Sequence, residues 1–347
     1  MSKKYDTLVL IGRFQPVHNA HVEIIQRAAR LCDQLVIIVG SANEPRTYKN
    51  PFTSAEREVM LHTVIDQLWD TGVIDNTVKI HIEHNTNSIY NDQAWAVRVQ
   101  GIVKKYATAR CRVGIIGHKK DATSFYLDMF PQWAFENVEL IEPLNATDIR
   151  DLYFRKHARQ GFILSAVPAG VGTMLVDFTA SEEYQQIIRE REFLIENAKQ
   201  YAGPKYPPIF VTVDAVVICS GHVLMIKRRA EPGKGLWAMP GGYVNAHTDK
   251  TVEDAMLREL REETLIKVPA PVLRGSIVRS RVFDAVDRSP RGRIITHAFH
   301  IQLPDGELPK VKGNDDAEKA RWVPIAEVQR DKCFEDHFEI IQTFLGA

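Results

Sequence analysis

Short apolar runs alternate with helical stretches along the first 150 residues, and this alternation constrains the fold more than any other feature. The clearest helical stretches are His21–Cys32 and Ser54–Leu68, the second with Ser54 as its expected N-cap. Strands that alternate with helices predict a parallel, doubly wound α/β sheet, which binds ligands at the carboxyl ends of its strands. The predicted strands are Thr7–Gly12, Gln34–Gly40, Val78–Glu83, Arg112–Gly117 and Val138–Ile141.

A segment rich in proline and glycine, Gly203–Pro208, divides the chain into two parts of different texture. It follows a long charged helix, predicted over Ser181–Tyr201. Since 347 residues exceed what one hydrophobic core usually holds, we expect a first domain at 1–180, a helix and linker at 181–206, and an α+β domain at 207–347. In the last part, strands are predicted at Phe210–Cys219, His222–Arg228, Arg274–Phe283 and Ile294–Leu303, and helices at Thr251–Thr264 and Glu335–Leu345.

The charge balance excludes a bulk electrostatic role. Lys plus Arg and Asp plus Glu both number 44, so the chain has no general affinity for nucleic acid or membranes. It has no apolar run of about 18 residues, the length that a membrane-spanning helix needs. Its four cysteines show neither pairing nor metal-ligand spacing, which predicts reduced thiols in a cytoplasmic protein. We therefore expect neither a nucleic-acid nor a membrane partner; a homo-oligomer is compatible with the sequence.

The segment Gly12–His21 reads G-R-F-Q-P-V-H-N-A-H and joins a predicted strand to a predicted helix. Gly12 allows close approach of a ligand to the backbone, and a helix N-terminus offers unpaired N–H groups to phosphate. His18 and His21 lie on one side of the first turn, where two imidazoles can donate to phosphate oxygens. A bare H-x-x-H is more often structural, but its position after a strand end favours a phosphate site.

A second segment, Asn145–Arg150, reads N-A-T-D-I-R and follows the last predicted strand. Thr147 is expected to cap the next helix, which places Arg150 in its first turn beside the same phosphate site. Alone, this pattern is more often a plain cap followed by a solvated arginine.

Together, these segments resemble the H-x-G-H nucleotidyltransferase superfamily, and within it the archaeal-like nicotinamide-mononucleotide (NMN) adenylyltransferases. The resemblance covers roughly Lys4–Gly170, with Ala20 where the superfamily usually has glycine. It implies transfer of AMP from ATP to NMN, giving NAD and pyrophosphate by positioning and charge stabilisation, with Mg²⁺ accompanying the nucleotide. The implied catalytic residues are His18, His21 and Arg150, with Gly12, Arg13, Phe14 and Thr147 at the ATP phosphates.

Substrate choice is expected to depend on loops that follow the strands. Ser41–Phe52 is one such loop, and Asn91–Trp95 resembles the family's nicotinamide pocket. Trp95 offers an aromatic face to the cationic pyridinium ring, although an ordinary core tryptophan remains an alternative. Asn50 and Arg57 match NMN-contacting positions of the family, with plain loop and helix-surface roles equally open. Nicotinic acid mononucleotide as substrate, or cytidylyl transfer, also remains open.

In the second half, the run R-E-L-R-E-E at Arg258–Glu263 places three carboxylates, those of Glu259, Glu262 and Glu263, along one side of a helix. Acidic groups this close repel one another, and a divalent cation relieves the repulsion. A solvated charged face is the commoner meaning of such a run. The preceding P-G-G-Y-V, which begins at Pro240, favours the metal site.

This combination resembles the Nudix box, and the resemblance spans about Pro207–Ala347. It implies that Glu259, Glu262 and Glu263 are catalytic metal ligands for Mg²⁺ or Mn²⁺ in hydrolysis of a pyrophosphate. The chain departs from the box in having two extra residues before the helix, Lys250 in place of a glutamate, and Leu265 in place of a glycine. Asp249 is adjacent and is a candidate to compensate for the missing carboxylate.

A loop at Phe283–Arg293 carries three arginines and resembles that of ADP-ribose-type Nudix proteins. Arginine forks suit phosphate oxygens, so the loop predicts preference for ADP-ribose, cleaved to AMP and ribose 5-phosphate; a solvated hairpin is the alternative. The predicted ADP-ribose contacts are Arg288, Arg291 and Arg293.

The order of the two domains resembles the bacterial bifunctional NMN adenylyltransferase/ADP-ribose pyrophosphatases. The alternative is an inactive Nudix domain that senses a ligand, as in some transcriptional regulators of NAD metabolism. Those regulators carry a winged helix after the Nudix fold, whereas only a short segment follows Val328 here.

Overall fold

In a computed structural model, the chain forms two compact units, Met1–Ile188 and Arg189–Ala347. The structure describes residues 3–119, 122–139, 145–155 and 160–346. The division falls inside the segment predicted as helix and linker, whose limits remain a prediction. Among the described residues, no helix has the length and apolar character needed to cross a membrane.

The first unit is built on a five-stranded parallel sheet with the order β3-β2-β1-β4-β5. This confirms the predicted doubly wound sheet. Its elements are β1 (Tyr5–Gly12), α1 (Asn19–Leu31), β2 (Cys32–Val39), α2 (Ser54–Asp70), β3 (Lys79–His84), α3 (Asp92–Lys104), β4 (Val113–Gly117), a 3-10 helix (Ala122–Met129), β5 (Ala134–Asn137), α4 (Ala146–Tyr153), α5 (Gln160–Ser165), α6 (Ala169–Phe178) and α7 (Glu182–Gln200), which crosses into the second unit.

The central strands are buried on both faces because their apolar residues are continuous. Alternate residues of β1 face opposite ways, so Leu8 and Leu10 join the core under α1 and α2, while Val9 and Ile11 join the core under α3. The prediction of a strand at Val138–Ile141 is wrong, because the strand β5 lies at Ala134–Asn137 and ends before Val138. Val138 is buried without belonging to a strand, and the last two residues of that range lie outside the described part.

Two predicted helix caps are also wrong by one or two residues. Thr53 rather than Ser54 caps α2, where its side chain accepts from Glu56 N–H and the Glu56 carboxylate accepts from Thr53 N–H. Asn145 rather than Thr147 caps α4, and its side-chain oxygen accepts from two backbone N–H groups. Both positions hold residues that cap well, so composition alone does not distinguish them.

The second unit has a mixed sheet with the order β10-β11-β6-β7-β12, in which only β11 and β6 run parallel along this path. The predicted strand at Arg274–Phe283 is shorter than expected because a helical turn, α9 (Ala270–Gly275), takes its first residues. The elements are β6 (Ile209–Cys219), β7 (His222–Arg228), β8 (Trp237–Ala238), β9 (Gly241–Tyr243), α8 (Val252–Thr264), α9 (Ala270–Gly275), β10 (Ile277–Phe283), β11 (Arg293–Gln302), β12 (Ala317–Pro324) and α10 (His337–Leu345).

Helix α8 packs one face against the sheet. Ala255, Met256 and Leu260 are fully buried in a core that includes Val213 and Val217 of β6. Because this face is apolar, the glutamates of α8 lie beside it, with Glu262 exposed and Glu263 buried at its edge.

Candidate active sites

The turn between β1 and α1 is shaped by Gly12 and Phe14. Phe14 has a left-handed backbone (φ 52°) and is 1% exposed. A Cβ atom on Gly12 would lie 2.8 Å from the Phe14 ring, so glycine is needed for that ring to pack. The ring also lies 4.7 Å from that of His21. Phe14 therefore supports the turn from beneath, and a side-chain contact with ATP does not fit its burial.

The two histidines of this turn meet at the start of α1, as their spacing predicted. Their ring centroids are 3.9 Å apart, and the His18 N–H donates to Nδ1 of His21 at 3.3 Å. Burial lowers the pKa of His18 to about 4, with a smaller contribution from the charge of Arg150. Burial and His18 lower the pKa of His21 well below its ordinary value. Both rings are therefore neutral near pH 7.

The α4 segment reaches the same turn. The Arg150 guanidinium donates to the Gln15 carbonyl at 2.8 Å and to the Thr147 hydroxyl at 3.1 Å. Burial lowers the pKa of Arg150 to about 10, with a smaller contribution from the charge of Arg13. Two cations that repel each other beside a helix N-terminus create a positive field, which a polyphosphate would neutralise.

Arg57 does not occupy the position that the sequence suggested. It is 1% exposed, and its guanidinium donates to the carbonyls of Arg13 (2.7 Å), Gly40 (2.6 Å) and Ser41 (2.9 Å). Arg57 thus ties together the carboxyl ends of β1 and β2, and direct contact with NMN does not fit. Asn50 accepts a hydrogen bond from Arg13 at 3.0 Å, which places it beside the phosphate turn.

Trp95 lies in the first turn of α3 and is partly buried. Its ring is 6.2 Å from that of Tyr126 and 6.0 Å from that of Phe130. The ring therefore contributes to the core on this side of the sheet. Its predicted contact with the nicotinamide ring stays a prediction.

The predicted carboxylates of the second unit lie along α8, and two of them are strongly desolvated. Glu263 is 4% exposed and accepts a hydrogen bond from Gly241 N–H at 2.9 Å. Burial raises the pKa of Glu263 to about 8, and the charge of Glu259 adds to the effect. Burial also raises the pKa of Glu259. A Cβ on Gly242 would lie 2.6 Å from the Glu259 carboxyl group, so the box glycine makes room for it.

Arg258 occupies the space between the carboxylates. Its Nη1 donates to Glu259 at 2.7 Å and to Glu262 at 2.9 Å. With this arrangement, no three His, Cys, Asp or Glu side chains in the described part of the chain converge as a metal site. The donor set nevertheless fits a hard divalent cation, because burial disfavours the charged forms of Glu259 and Glu263 and a bound cation would favour them again.

The departures from the Nudix box have local structural solutions. Asp249 forms a bidentate ion pair with Arg258, with contacts of 2.9 and 2.8 Å. The inserted residues make a turn in which Asn245 N–H donates to Asp249 at 2.7 Å, while Lys250 is exposed. Leu265 ends α8 in the left-handed conformation with φ 44°, which explains why a glycine suits that position.

Each of the three arginines of the predicted ADP-ribose loop is engaged by a partner within the second unit. Arg288 is buried in a bidentate ion pair with Asp336, at 2.9 and 2.7 Å, so its predicted contact with ADP-ribose does not fit. Arg291 donates to Glu335 at 3.1 Å, and Arg293 donates to a backbone carbonyl at 2.5 Å. Arg291 and Arg293 are partly exposed.

Sequence reasoning missed a group of polar residues with buried side chains around this centre: Asp214, Glu335, Asp336 and His337. Asp214 could have been found, because it interrupts the apolar run F-V-T-V-D-A-V-V-I of β6. The other three resemble the solvated start of a helix, and only the tertiary structure shows their burial.

Comparison with known proteins accounts for both units. The Cytidylyltransferase-like family model matches residues 9–152, and the NUDIX domain model matches residues 208–344. The nicotinamide/nicotinic acid mononucleotide adenylyltransferase of Acinetobacter baylyi is 38% identical over 186 residues, which are 53% of this chain and 92% of that protein. The ADP-ribose pyrophosphatase of Methanocaldococcus jannaschii is 33% identical over 161 residues, which are 46% of this chain and 83% of that protein.

One family of solved structures matches nearly the whole chain. The crystal structure of a bifunctional NMN adenylyltransferase/ADP ribose pyrophosphatase from Francisella tularensis has a TM-score of 0.90 and 33% identity, covering 99% of both chains. A structure described as the same kind of enzyme from that organism, complexed with AMP and a manganese ion, has a TM-score of 0.89 and 32% identity over 99% of both chains.

Proposed function

This chain belongs to the family of bifunctional NMN adenylyltransferase/ADP-ribose pyrophosphatases, and we propose that it performs both reactions. The observation that carries the proposal is the likeness to the Francisella tularensis protein over 99% of both chains at 33% identity. A likeness confined to one unit would support only one of the two activities.

In the first unit, the 5′-phosphate of NMN attacks the α-phosphorus of ATP, and pyrophosphate leaves as NAD forms. His18, His21, Thr147 and Arg150 are proposed to hold the ATP phosphates, with Arg13 beside them. The neutral histidines donate from ring N–H groups, and the two arginines oppose the charge that develops on the leaving pyrophosphate. Bound with the nucleotide, Mg²⁺ would neutralise further phosphate charge. Arg57 is a positioning residue, because it fixes the strand ends that carry this turn.

The pyridine substrate is proposed to be NMN, with Trp95 and Asn50 near it. The Acinetobacter baylyi relative is named for both the amide and the acid mononucleotide. A comparison of kcat/KM for the two mononucleotides decides the preference in this chain.

In the second unit, ADP-ribose is cleaved to AMP and ribose 5-phosphate, with one water consumed. Glu259, Glu262 and Glu263 are proposed to hold a divalent cation, Mg²⁺ or Mn²⁺, which would activate water and lower the charge on the diphosphate. Gly241 N–H orients Glu263, and Arg258 orients the other two carboxylates until a cation competes for them. Arg291 and Arg293 are the partly exposed cations left to meet the substrate phosphates.

A cytoplasmic location is also proposed. All four cysteines are free, and three of them, Cys32, Cys219 and Cys333, are buried. Burial raises the pKa of Cys32 and of Cys333 to about 12, so these thiols are inert packing groups and are compatible with a reducing compartment.

Paired substitutions test the assignment of one reaction to each unit. We expect His18→Ala or Arg150→Ala to lower NAD synthesis by about 10²–10³-fold and to leave ADP-ribose cleavage unchanged. Glu262→Gln or Glu263→Gln should have the reverse effect, because an amide is a weaker ligand for a hard cation. The matched control for the first unit is Arg155→Ala, at an exposed position just after α4. The matched control for the second unit is Glu253→Gln, in the first turn of α8 and away from the three carboxylates. Loss of both activities in a folded single variant contradicts the assignment.

A further inference from the structure

Three consecutive polar residues before and at the start of α10 have buried side chains, and each is held by a partner. Glu335 accepts from Ser289 at 2.6 Å and from Arg291. Asp336 forms the buried ion pair with Arg288. His337 completes the run and is 6% exposed. These contacts fix the start of α10 against the rest of the second unit.

His337 uses both ring nitrogens toward the pyrophosphatase centre. Its Nδ1 accepts a hydrogen bond from the Met239 N–H at 2.9 Å. Burial lowers the pKa of His337 to about 3, so the ring is neutral and its proton is on Nε2. That nitrogen faces the Asp214 carboxylate at 3.8 Å. Asp214 is held in turn by the Thr296 hydroxyl at 2.5 Å.

The Met239–Gly241 turn connects this histidine to Glu263. Gly241 N–H donates to the Glu263 carboxylate at 2.9 Å, and the Pro240 carbonyl accepts from Ala215 N–H at 2.8 Å. The Gly241 Cα packs so tightly on β6 that an added Cβ would lie 2.6 Å from Asp214 Oδ1. The turn is therefore fixed by β6 on one side and by His337 on the other. The Gly241 N–H, which donates to the Glu263 carboxylate, orients that side chain.

We propose that His337 is a positioning residue of the pyrophosphatase centre, which acts through the Met239 amide and the Gly241 turn to set the orientation of Glu263. The inference rests on the proposed role of Glu263 as a ligand of the divalent cation. We therefore expect the hydrogen bond that His337 Nδ1 accepts from Met239 N–H, rather than the bulk or polarity of the ring, to determine the orientation of Glu263. Removing the acceptor frees the turn, and the Glu263 carboxylate then has more than one orientation.

Two isosteric substitutions separate the nitrogens. The side-chain oxygen of asparagine can take the place of Nδ1, whereas the end of a glutamine side chain takes the place of Nε2. In the full chain, we expect His337→Gln to weaken Mn²⁺ binding, measured by calorimetric titration, by about 10–100-fold, as is usual for groups that orient metal ligands. His337→Asn should stay within about threefold of the wild type, because it keeps the acceptor. The kcat for ADP-ribose should follow the Mn²⁺ affinity, with KM little changed.

Thermal unfolding of each variant, and its NAD synthesis, control for damage to the fold. A purely structural role would lower the melting temperature of the second unit while leaving Mn²⁺ affinity intact well below that temperature, and this result overturns the proposal. Equal loss of Mn²⁺ affinity in the asparagine and glutamine variants also overturns it. If the glutamine variant does not fold, the asparagine variant alone decides, since a loss beyond about tenfold there contradicts the role of Nδ1. A wild-type chain that binds no Mn²⁺ would instead refute the proposed function.

Discussion

The substitution Asp249→Asn tests whether the inserted turn replaces the glutamate that the Nudix box lacks here. Asp249 makes two charge-assisted hydrogen bonds to Arg258, and their side chains are 5% and 28% exposed. Arg258 holds the pKa of Asp249 below its ordinary value, so the pair is ionised at neutral pH. An asparagine has only one acceptor oxygen, so one of the two bonds is lost and the other loses its charge assistance. Charge-assisted bonds are worth about 1.5–3 kcal/mol each, and partial solvent screening limits the total loss to about 1–2 kcal/mol.

The expected consequence is weaker metal binding as well as lower stability. Arg258 already donates to Glu259 and Glu262, so a guanidinium released from Asp249 would be held more tightly by those carboxylates. About 1–2 kcal/mol corresponds to a rise of roughly 5–30-fold in the Mn²⁺ Kd, with a parallel fall in kcat/KM for ADP-ribose. Calorimetric titration and steady-state kinetics measure both effects. Lys250→Gln, an exposed neighbour, is the control and should change neither by more than about twofold. An unaltered Asp249→Asn variant beside an impaired Lys250→Gln variant would refute the reasoning.

Three further predictions concern stability. Leu265→Gly should raise the free energy of unfolding of the second unit by up to about 1 kcal/mol in urea unfolding, because glycine relieves the left-handed strain at φ 44°; a decrease contradicts the account. Arg57→Leu should destabilise the first unit by several kcal/mol, since each buried carbonyl left without a donor costs about 1–3 kcal/mol. Asn50→Ala, the control, should change the melting temperature of that unit little. Equal losses of melting temperature in the two variants would refute the positioning role of Arg57. His18 has a folded-state pKa near 4, below the value of about 6.5 in the unfolded chain, so its contribution to stability is complete above pH 6.5 and is lost as the pH falls toward 4, by at most about 1.4 kcal/mol per pH unit. When urea unfolding of the first unit is measured across this range, the free energy of unfolding of His18→Asn should depend less steeply on pH than that of the wild type. An unchanged dependence on pH contradicts the burial argument.

The sheet of the first unit could be predicted because its strands are buried on both faces. Continuous apolar runs such as L-V-I-I-V in β2 are readable from sequence alone. The edge strand β5 could not be predicted as well. It contains charged and polar residues, while the buried Val138 lies just outside it.

The site residues whose positions were well predicted lie close together in the chain. His18 with His21, and Glu259 with Glu263, share a helix turn, so their spacing determines their proximity. Residues whose environment depends on distant partners were misjudged. Arg57 was expected to contact NMN, with a helix-surface role as the alternative, yet its guanidinium satisfies carbonyls at the ends of two strands.

The arginine loop shows the same limit. Arg288 looked available to a ligand, but its carboxylate partner, Asp336, is 48 residues away in the chain. No local pattern in the sequence indicates that pairing, because both residues alone are typical of exposed loops and helix ends.

The most direct test of the account is product analysis of the purified full chain with Mg²⁺ or Mn²⁺. With ATP and NMN, the account predicts accumulation of NAD and pyrophosphate. With ADP-ribose, it predicts AMP and ribose 5-phosphate in equal amounts, at a higher kcat/KM than for NAD, NADH or diadenosine polyphosphates. A chain that forms no NAD, or that cleaves NAD more efficiently than ADP-ribose, would contradict it.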